Sequence, residues 1–157
     1  KATYWLEQIK SGTVSEELNS KPSNVIILLG GNGTENIKEL LDEVHIITPK
    51  SMIHFISLPS PAIPSNGNVT RYSAVFGKKK VFNFSKLHSS REEKKNTSRD
   101  LVMASVPASK GLVQFVNIFD IAWECEEECD GIHVTPRAAK DIVSSISLST
   151  KSTTLSV

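Results

Sequence analysis

Residues 21–34 read Lys-Pro-Ser-Asn-Val-Ile-Ile-Leu-Leu-Gly-Gly-Asn-Gly-Thr, and the fold class follows from them. Lys21 to Asn24 is turn chemistry. Val25 to Leu29 is an unbroken apolar run of strand length, the pattern of a parallel strand buried on both faces. Gly30 to Gly33 end the strand. Thr34 then stands where it can cap a helix whose apolar positions Ile37, Leu40, Leu41 and Val44 fall at i, i+3, i+4 and i+7. The stretch is therefore a strand, a glycine loop and a helix.

Working outward, a second strand is expected over Ile53 to Leu58 after Thr48-Pro49, with Pro59 to Pro64 as the loop that closes it. The β-α-β order favours a parallel sheet with right-handed crossovers. Upstream, Tyr4, Trp5, Leu6, Ile9, Val14 and Leu18 suit one or two short amphipathic helices. Downstream, Ala74-Val75-Phe76 and Val81-Phe82 flank Gly77-Lys78-Lys79-Lys80 as in a hairpin insertion, with the lysines in a solvated turn. A helix is expected over 89–105 and a third core strand over Leu112 to Ile118. Thr135-Pro136 supplies an N-cap and a proline at the first helical position. The helix it opens carries Ala138, Ala139, Ile142, Val143 and Ile146 on one face, and the Ser/Thr-rich end reads as an extended tail. This gives one domain over residues 1–148 and a tail over 149–157.

The 157 residues carry 18 basic and 17 acidic side chains, a formal net charge of +1. No strong field is available to draw in nucleic acid or an anionic membrane surface. No apolar run approaches the ~20 residues that cross a bilayer. Two cysteines, Cys125 and Cys129, are too few for a structural zinc site and leave a local disulfide open only if the loop between them is not helical. Four sequons, at Asn32, Asn68, Asn83 and Asn96, hint weakly at a secreted or extracellular history. The opening at Lys1 suggests a cleaved product or part of a longer polypeptide.

Two short constellations carry chemistry. Gly30-Gly31-Asn32-Gly33 lies at the carboxyl end of the first strand, where open α/β sheets place ligands. Asn32 there either presents an N–H to a developing oxyanion or serves as a left-handed turn residue. The second is Asp130-Gly131-Ile132-His133-Val134-Thr135. An Asp joined to a His by a tight glycine turn can accept the imidazole Nδ1 proton and leave Nε2 as general base. The bland alternative is a turn with an incidental surface His. His45 and His54 read as packed or surface residues, His88 as part of a polar linker, and Glu124 and Glu126 to Glu128 as a solvated acidic loop.

In this order along an α/β chain, GGNG and DGIHVT resemble the third and fifth conserved blocks of the SGNH (GDSL-type) hydrolase family, over roughly residues 3 to 148. The resemblance implies a flavodoxin-like three-layer α/β/α fold. It implies His133 as general base, Asp130 as its orienting carboxylate and Asn32 as an oxyanion-hole donor, with Gly30, Gly31 and Gly33 shaping the loop. Gly33 departs from the family pattern, which has Asp there. The family's first block, Gly-Asp-Ser, which carries the nucleophile, has no counterpart in the sequence, and neither does its second. In a sheet of order 2-1-3-4-5 the absent first strand is central and pairs with Val25 to Leu29. An upstream segment or another chain is thus expected to supply both that strand and the serine. Ser51, Ser57 and Ser60 sit in no G-x-S-x-G elbow.

Two main functions remain open at this point. One is hydrolysis of a small O-acyl or O-acetyl ester, with no metal or organic cofactor and no membrane or nucleic-acid partner. The other is a non-catalytic binding or structural module within a larger assembly. A third reading, GGNG as a phosphate loop for a nucleotide, lacks the length and the Lys-Ser/Thr end of a P-loop.

Overall fold

The computed structural model of the chain describes residues 1–13, 16–62, 69–73, 77–125 and 129–153. They divide into two compact units, Lys1–Leu58 with Glu93–Asn117, and Pro59–Glu92 with Ile118–Val157.

In the first unit, helix α1 (Ala2–Lys10) and a short helix α2 (Glu16–Asn19) precede strand β1 (Asn24–Leu28). Helix α3 (Ile37–Ile47) and strand β2 (Met52–Ile56) follow. After the second unit's hairpin, strands β3 (Val69–Ser73) and β4 (Lys78–Phe82), comes helix α4 (Phe84–Ser105), whose first part belongs to that unit. Strand β5 (Val113–Val116) completes a three-stranded sheet of order β1-β2-β5. Both pairings are parallel, with Ile26 opposite His54 and His54 opposite Gln114. The architecture is α/β, a small parallel sheet with helices, and is compatible with a three-layer α/β fold.

One face of the sheet builds the core. Ile53, Phe55 and Val113 are buried together with Ala2 and Leu6 of α1, Ile37, Leu40, Leu41 and Val44 of α3, and Val102 of α4. The four α3 positions are those the i, i+3, i+4, i+7 spacing selects, since that spacing places them on one helical stripe. Phe55 stacks on Phe115 with ring centroids 6.3 Å apart. Thr48 ends α3, its hydroxyl and amide both donating to the Val44 carbonyl at 2.7 and 2.9 Å.

The opposite face does not match the expectation of a strand buried on both sides. Ile26 is 69% and Leu28 58% exposed. Among the described residues β1 is an edge strand, paired with β2, and Ile26 and Leu28 point to the face opposite the one that α1, α3 and α4 cover. On that face a polar row crosses all three strands. The Gln114 side-chain amide donates to His54 Nδ1, which puts the ring proton on Nε2, and Nε2 donates to Asn24 Oδ1 at 2.9 Å.

In the second unit β3 and β4 pair antiparallel, as the hairpin reading requires, but Lys78, Lys79 and Lys80 belong to β4 and not to its turn. Residues 74–76 lie outside the described residues. α4 starts five residues before the expected 89 because Asn83 caps it, its Oδ1 accepting from the Lys86 N–H at 3.1 Å. His88 consequently lies on a helix, its ring 5.8 Å from that of Phe84 and 5.0 Å from that of Phe119. It is no part of a linker. The last helix, α5 (Pro136–Thr153), begins where Thr135 caps it, with the Ala138 N–H donating to Thr135 Oγ1 at 3.2 Å. It continues through residues expected to form an extended tail. Ala138 and Ile142 are buried, whereas Ala139 and Val143 are exposed, so the buried stripe is narrower than the apolar one. No helix among the described residues is long and apolar enough to cross a membrane.

Candidate active site

The segment from Cys125 to Thr135 enters α5 and belongs to the second unit. Cys125 and Cys129 form a disulfide with Cα atoms 5.5 Å apart; residues 126–128, the loop on which the expectation of a local bridge turned, lie outside the described residues. The Gly131 N–H donates to Cys129 Sγ at 3.2 Å. Gly131 itself has φ of +76°, a conformation that closes the turn and that a side chain would disfavour. The Gly131 carbonyl accepts from the Ala62 N–H at 3.0 Å, and Trp123 Nε1 donates to the Ser60 carbonyl at 2.7 Å. These two bonds tie the loop to the segment after β2. Sequence reasoning passed over Trp123, although a lone tryptophan at the start of an acidic run was a usable signal of an anchored loop.

The turn organises Asp130 and His133. Oδ1 of Asp130 accepts from the backbone N–H groups of Ile132 and His133, both at 2.8 Å. Oδ2 faces His133 Nδ1 at 2.5 Å. One carboxylate thereby fixes the turn through one oxygen and the ring through the other. Partial burial pushes the Asp130 carboxyl up. The bonds from the His133 amide, the His133 ring and the Ile132 amide, together with the ring's charge, outweigh it and hold the group below the ordinary carboxylate value. Asp130 is therefore ionised at neutral pH, and an ionised acceptor at Nδ1 keeps the neutral ring's proton on that nitrogen. The lone pair of Nε2 is then directed away from the turn. The His133 side chain is 73% exposed, which gives a reactant access to it.

Asn32 belongs to the first unit, at the carboxyl end of β1. It is exposed and not left-handed; the positive φ values of the loop fall on Gly30 and Gly33, at +109° and +130°. The loop is braced by α4 within the same unit. Lys94 Nζ donates to the Gly31 carbonyl at 3.1 Å, and a Cβ on Gly30 would meet Ser98 Oγ at 3.1 Å. Neither Lys94 nor Ser98 was foreseen, because helix-to-loop contacts leave no local pattern. Thr34 does not cap α3. Asn36 occupies that position with φ of +62°, and its Nδ2 donates to Thr3 Oγ1 at 3.1 Å.

The structure brings Asp130 and His133 together in one turn and sets Asn32, with Gly30, Gly31 and Gly33, in the other unit. Ser51 and Ser57 are buried to within 2% of complete. Such hydroxyls cannot reach an external substrate. A hollow of about 530 Å³ lined by Ser60, Ala62, Phe84, His88, Trp123 and Cys125 opens in the second unit, and neither Asp130 nor His133 lines it. Among the described residues no group of three or more His, Cys, Asp or Glu side chains is placed to hold a metal ion. Comparison with known proteins finds no matching family model and no similar curated protein or solved structure.

Proposed function

We propose that the chain is the larger part of an SGNH-type serine hydrolase domain and that it contributes the general base of an esterase. The observation that carries this reading is the Asp130 carboxylate, held by two backbone N–H groups on one oxygen and by His133 Nδ1 at 2.5 Å on the other. A surface histidine has no need of such an arrangement. A general base does, because the carboxylate fixes the ring's tautomer and orientation and stabilises the imidazolium that forms when Nε2 takes a proton. The strand order β1-β2-β5, with β1 open on one side, is also what the 2-1-3-4-5 sheet of that family leaves when its first two strands are removed.

In this reading a serine from outside the 157 residues attacks the acyl carbonyl of a small O-acyl or O-acetyl ester as His133 Nε2 removes its proton. The tetrahedral oxyanion collapses to a seryl ester while the imidazolium protonates the departing alkoxide. Water activated by the same nitrogen then releases the acid. Asn32 enters through the resemblance of its loop, as a side-chain N–H donor to the oxyanion. The chemistry asks for no metal or organic cofactor.

A second reading, a non-catalytic module of a larger assembly, is favoured by the burial of Ser51 and Ser57 and by Gly33 in place of Asp. Turnover of a short-chain aryl acetate by the native material decides between them. The hydrolase reading expects His133→Ala to abolish turnover with the far-UV circular dichroism unchanged. Turnover equal to that of the unaltered protein would remove His133 from the mechanism.

A further inference from the structure

The hollow of about 530 Å³ is built wholly within the second unit, and the proposed hydrolase chemistry does not use it. Three aromatic side chains, Phe84, His88 and Trp123, stand in its lining with Ser60 and Ala62. Glu124 adds a carboxylate, and among the described residues no lysine or arginine takes part in the lining. The sequence fixes these walls from several sides. Asn83 caps α4 and so starts the helix with Phe84 and His88 at i and i+4, on one helical face. Their ring centroids lie 5.8 Å apart, and the ring of Phe119 steadies His88 at 5.0 Å. Trp123 is 9% exposed, with Nε1–H committed to the Ser60 carbonyl at 2.7 Å. Arg91, outside the lining, donates to the Pro59 carbonyl at 3.1 Å, the Ala62 N–H donates to the Gly131 carbonyl at 3.0 Å, and the disulfide holds Cys125. Walls held in this way spare a ligand much of the cost of ordering them.

The chemistry of the lining selects among ligands. An anion would meet the Glu124 carboxylate and no basic side chain. A hard metal ion needs several oxygen ligands, and among the described residues no group of three or more His, Cys, Asp or Glu side chains is placed to supply them. Aromatic rings, by contrast, carry negative faces that attract a cation within about 6 Å of the ring centroid, and quaternary ammonium groups are the ligands such rings recognise. A sphere with the volume of the hollow has a radius of about 5 Å, so a cation held inside stands within about that reach of the walls. The volume also falls in the range of roughly 300–1,000 Å³ typical of small-molecule sites, which leaves room for a short chain beside the ammonium head.

We infer that this hollow is a binding site for a small quaternary ammonium compound, with Phe84, His88 and Trp123 as its aromatic walls and exposed Glu124 as the countercharge at its rim. Binding there needs neither a serine nor His133, so the inference stands apart from the hydrolase reading.

The probe is choline added to the full chain, with dimethylbutanol, its uncharged carbon isostere, as control. The chain has two tryptophans, Trp5 in the first unit and Trp123 in the lining, so a proton–nitrogen correlation spectrum carries one indole signal from each. Choline is expected to shift the Trp123 signal saturably, with a Kd of about 1 mM or tighter, and to leave that of Trp5 in place. Dimethylbutanol should bind at least about fivefold more weakly. Glu124→Gln changes an exposed position, should fold, and should weaken choline binding about two- to fivefold. Phe84→Leu keeps an apolar side chain but removes a ring, and should weaken binding about threefold or more. Absence of a saturable shift at Trp123, equal binding of dimethylbutanol, or binding unchanged in Glu124→Gln would each overturn the inference. So would movement of the Trp5 signal in place of that of Trp123. Choline binding by native material that lacks esterase activity would leave the inference standing and count against the hydrolase reading alone.

Discussion

Replacing Asp130 in two ways separates its two jobs. Asp130→Ala removes the acceptor of the Ile132 and His133 amides and the partner of Nδ1. Ile132 is 9% exposed, so its N–H is left largely without water, whereas exposed His133 can find a water partner. An unsatisfied buried donor costs about 1–3 kcal/mol, so the second unit should lose about that much stability. Asp130→Asn keeps an oxygen for both amides and should cost less than about 1 kcal/mol, the value of the lost charge assistance. It places an N–H donor opposite Nδ1, however, and so drives the ring to the Nε2–H tautomer, which has no lone pair where a general base needs one. Urea unfolding followed by circular dichroism measures the first effect, and long-range proton–nitrogen correlation of the imidazole measures the second. The pH dependence has a fixed sign. Because the folded carboxyl lies below its ordinary value, its stabilisation is fully present above about pH 4 and is lost as pH falls through the lowered folded value. The gap between the wild type and Asp130→Ala should close in that acidic window. Equal destabilisation by Ala and Asn, or an unchanged tautomer in Asp130→Asn, would refute this account of the turn.

Placing an Asp at Gly33, as the SGNH pattern has, should destabilise the loop, because φ there is +130° and the new side chain would meet the Glu35 carboxylate; a lower thermal midpoint for Gly33→Asp checks this. Leu41→Ala empties a fully buried position in the α3 stripe and should cost about 2–5 kcal/mol in urea unfolding. Cys125→Ser/Cys129→Ser opens a loop of sequence separation 4. The chain-entropy model puts the loss at roughly 2 kcal/mol, and amide exchange at Gly131 and Ile132 should quicken while that at Ile53 and Phe55 does not.

What could be read before the structure was local. The α3 stripe, the strand at Val25, the Thr135-Pro136 helix start and the Asp130 to His133 turn each depend on residues within one or two helical turns of one another, and each stands where expected. The reading failed where partners come from afar. Burial of Ile26 and Leu28 depends on what packs on their face of the sheet, and an apolar run cannot report whether that face is covered. The lysines at 78–80 look like a turn until β3 pairs with them. In the sequence Asn83 reads as part of a sequon, and nothing local marks it as the cap of α4. His88 sits in a polar sequence but between two rings, one of them Phe119 on a distant segment. Serine and threonine are indifferent helix formers, so propensity gave no reason to extend α5 to Thr153. For the site, the dyad was legible because its geometry is set by a single turn. The bracing of Gly30 and Gly31 by Ser98 and Lys94 was not.

The central claim is that His133 is the base of a serine hydrolase whose nucleophile lies on another segment. Labelling the native material with a serine-directed fluorophosphonate, followed by the intact mass of every polypeptide under denaturing conditions, tests it most directly. The account predicts one labelled serine, in a Gly-Asp-Ser sequence outside these 157 residues, and loss of the label in His133→Ala. A native preparation in which no component is labelled, or in which labelling is indifferent to His133, would contradict it.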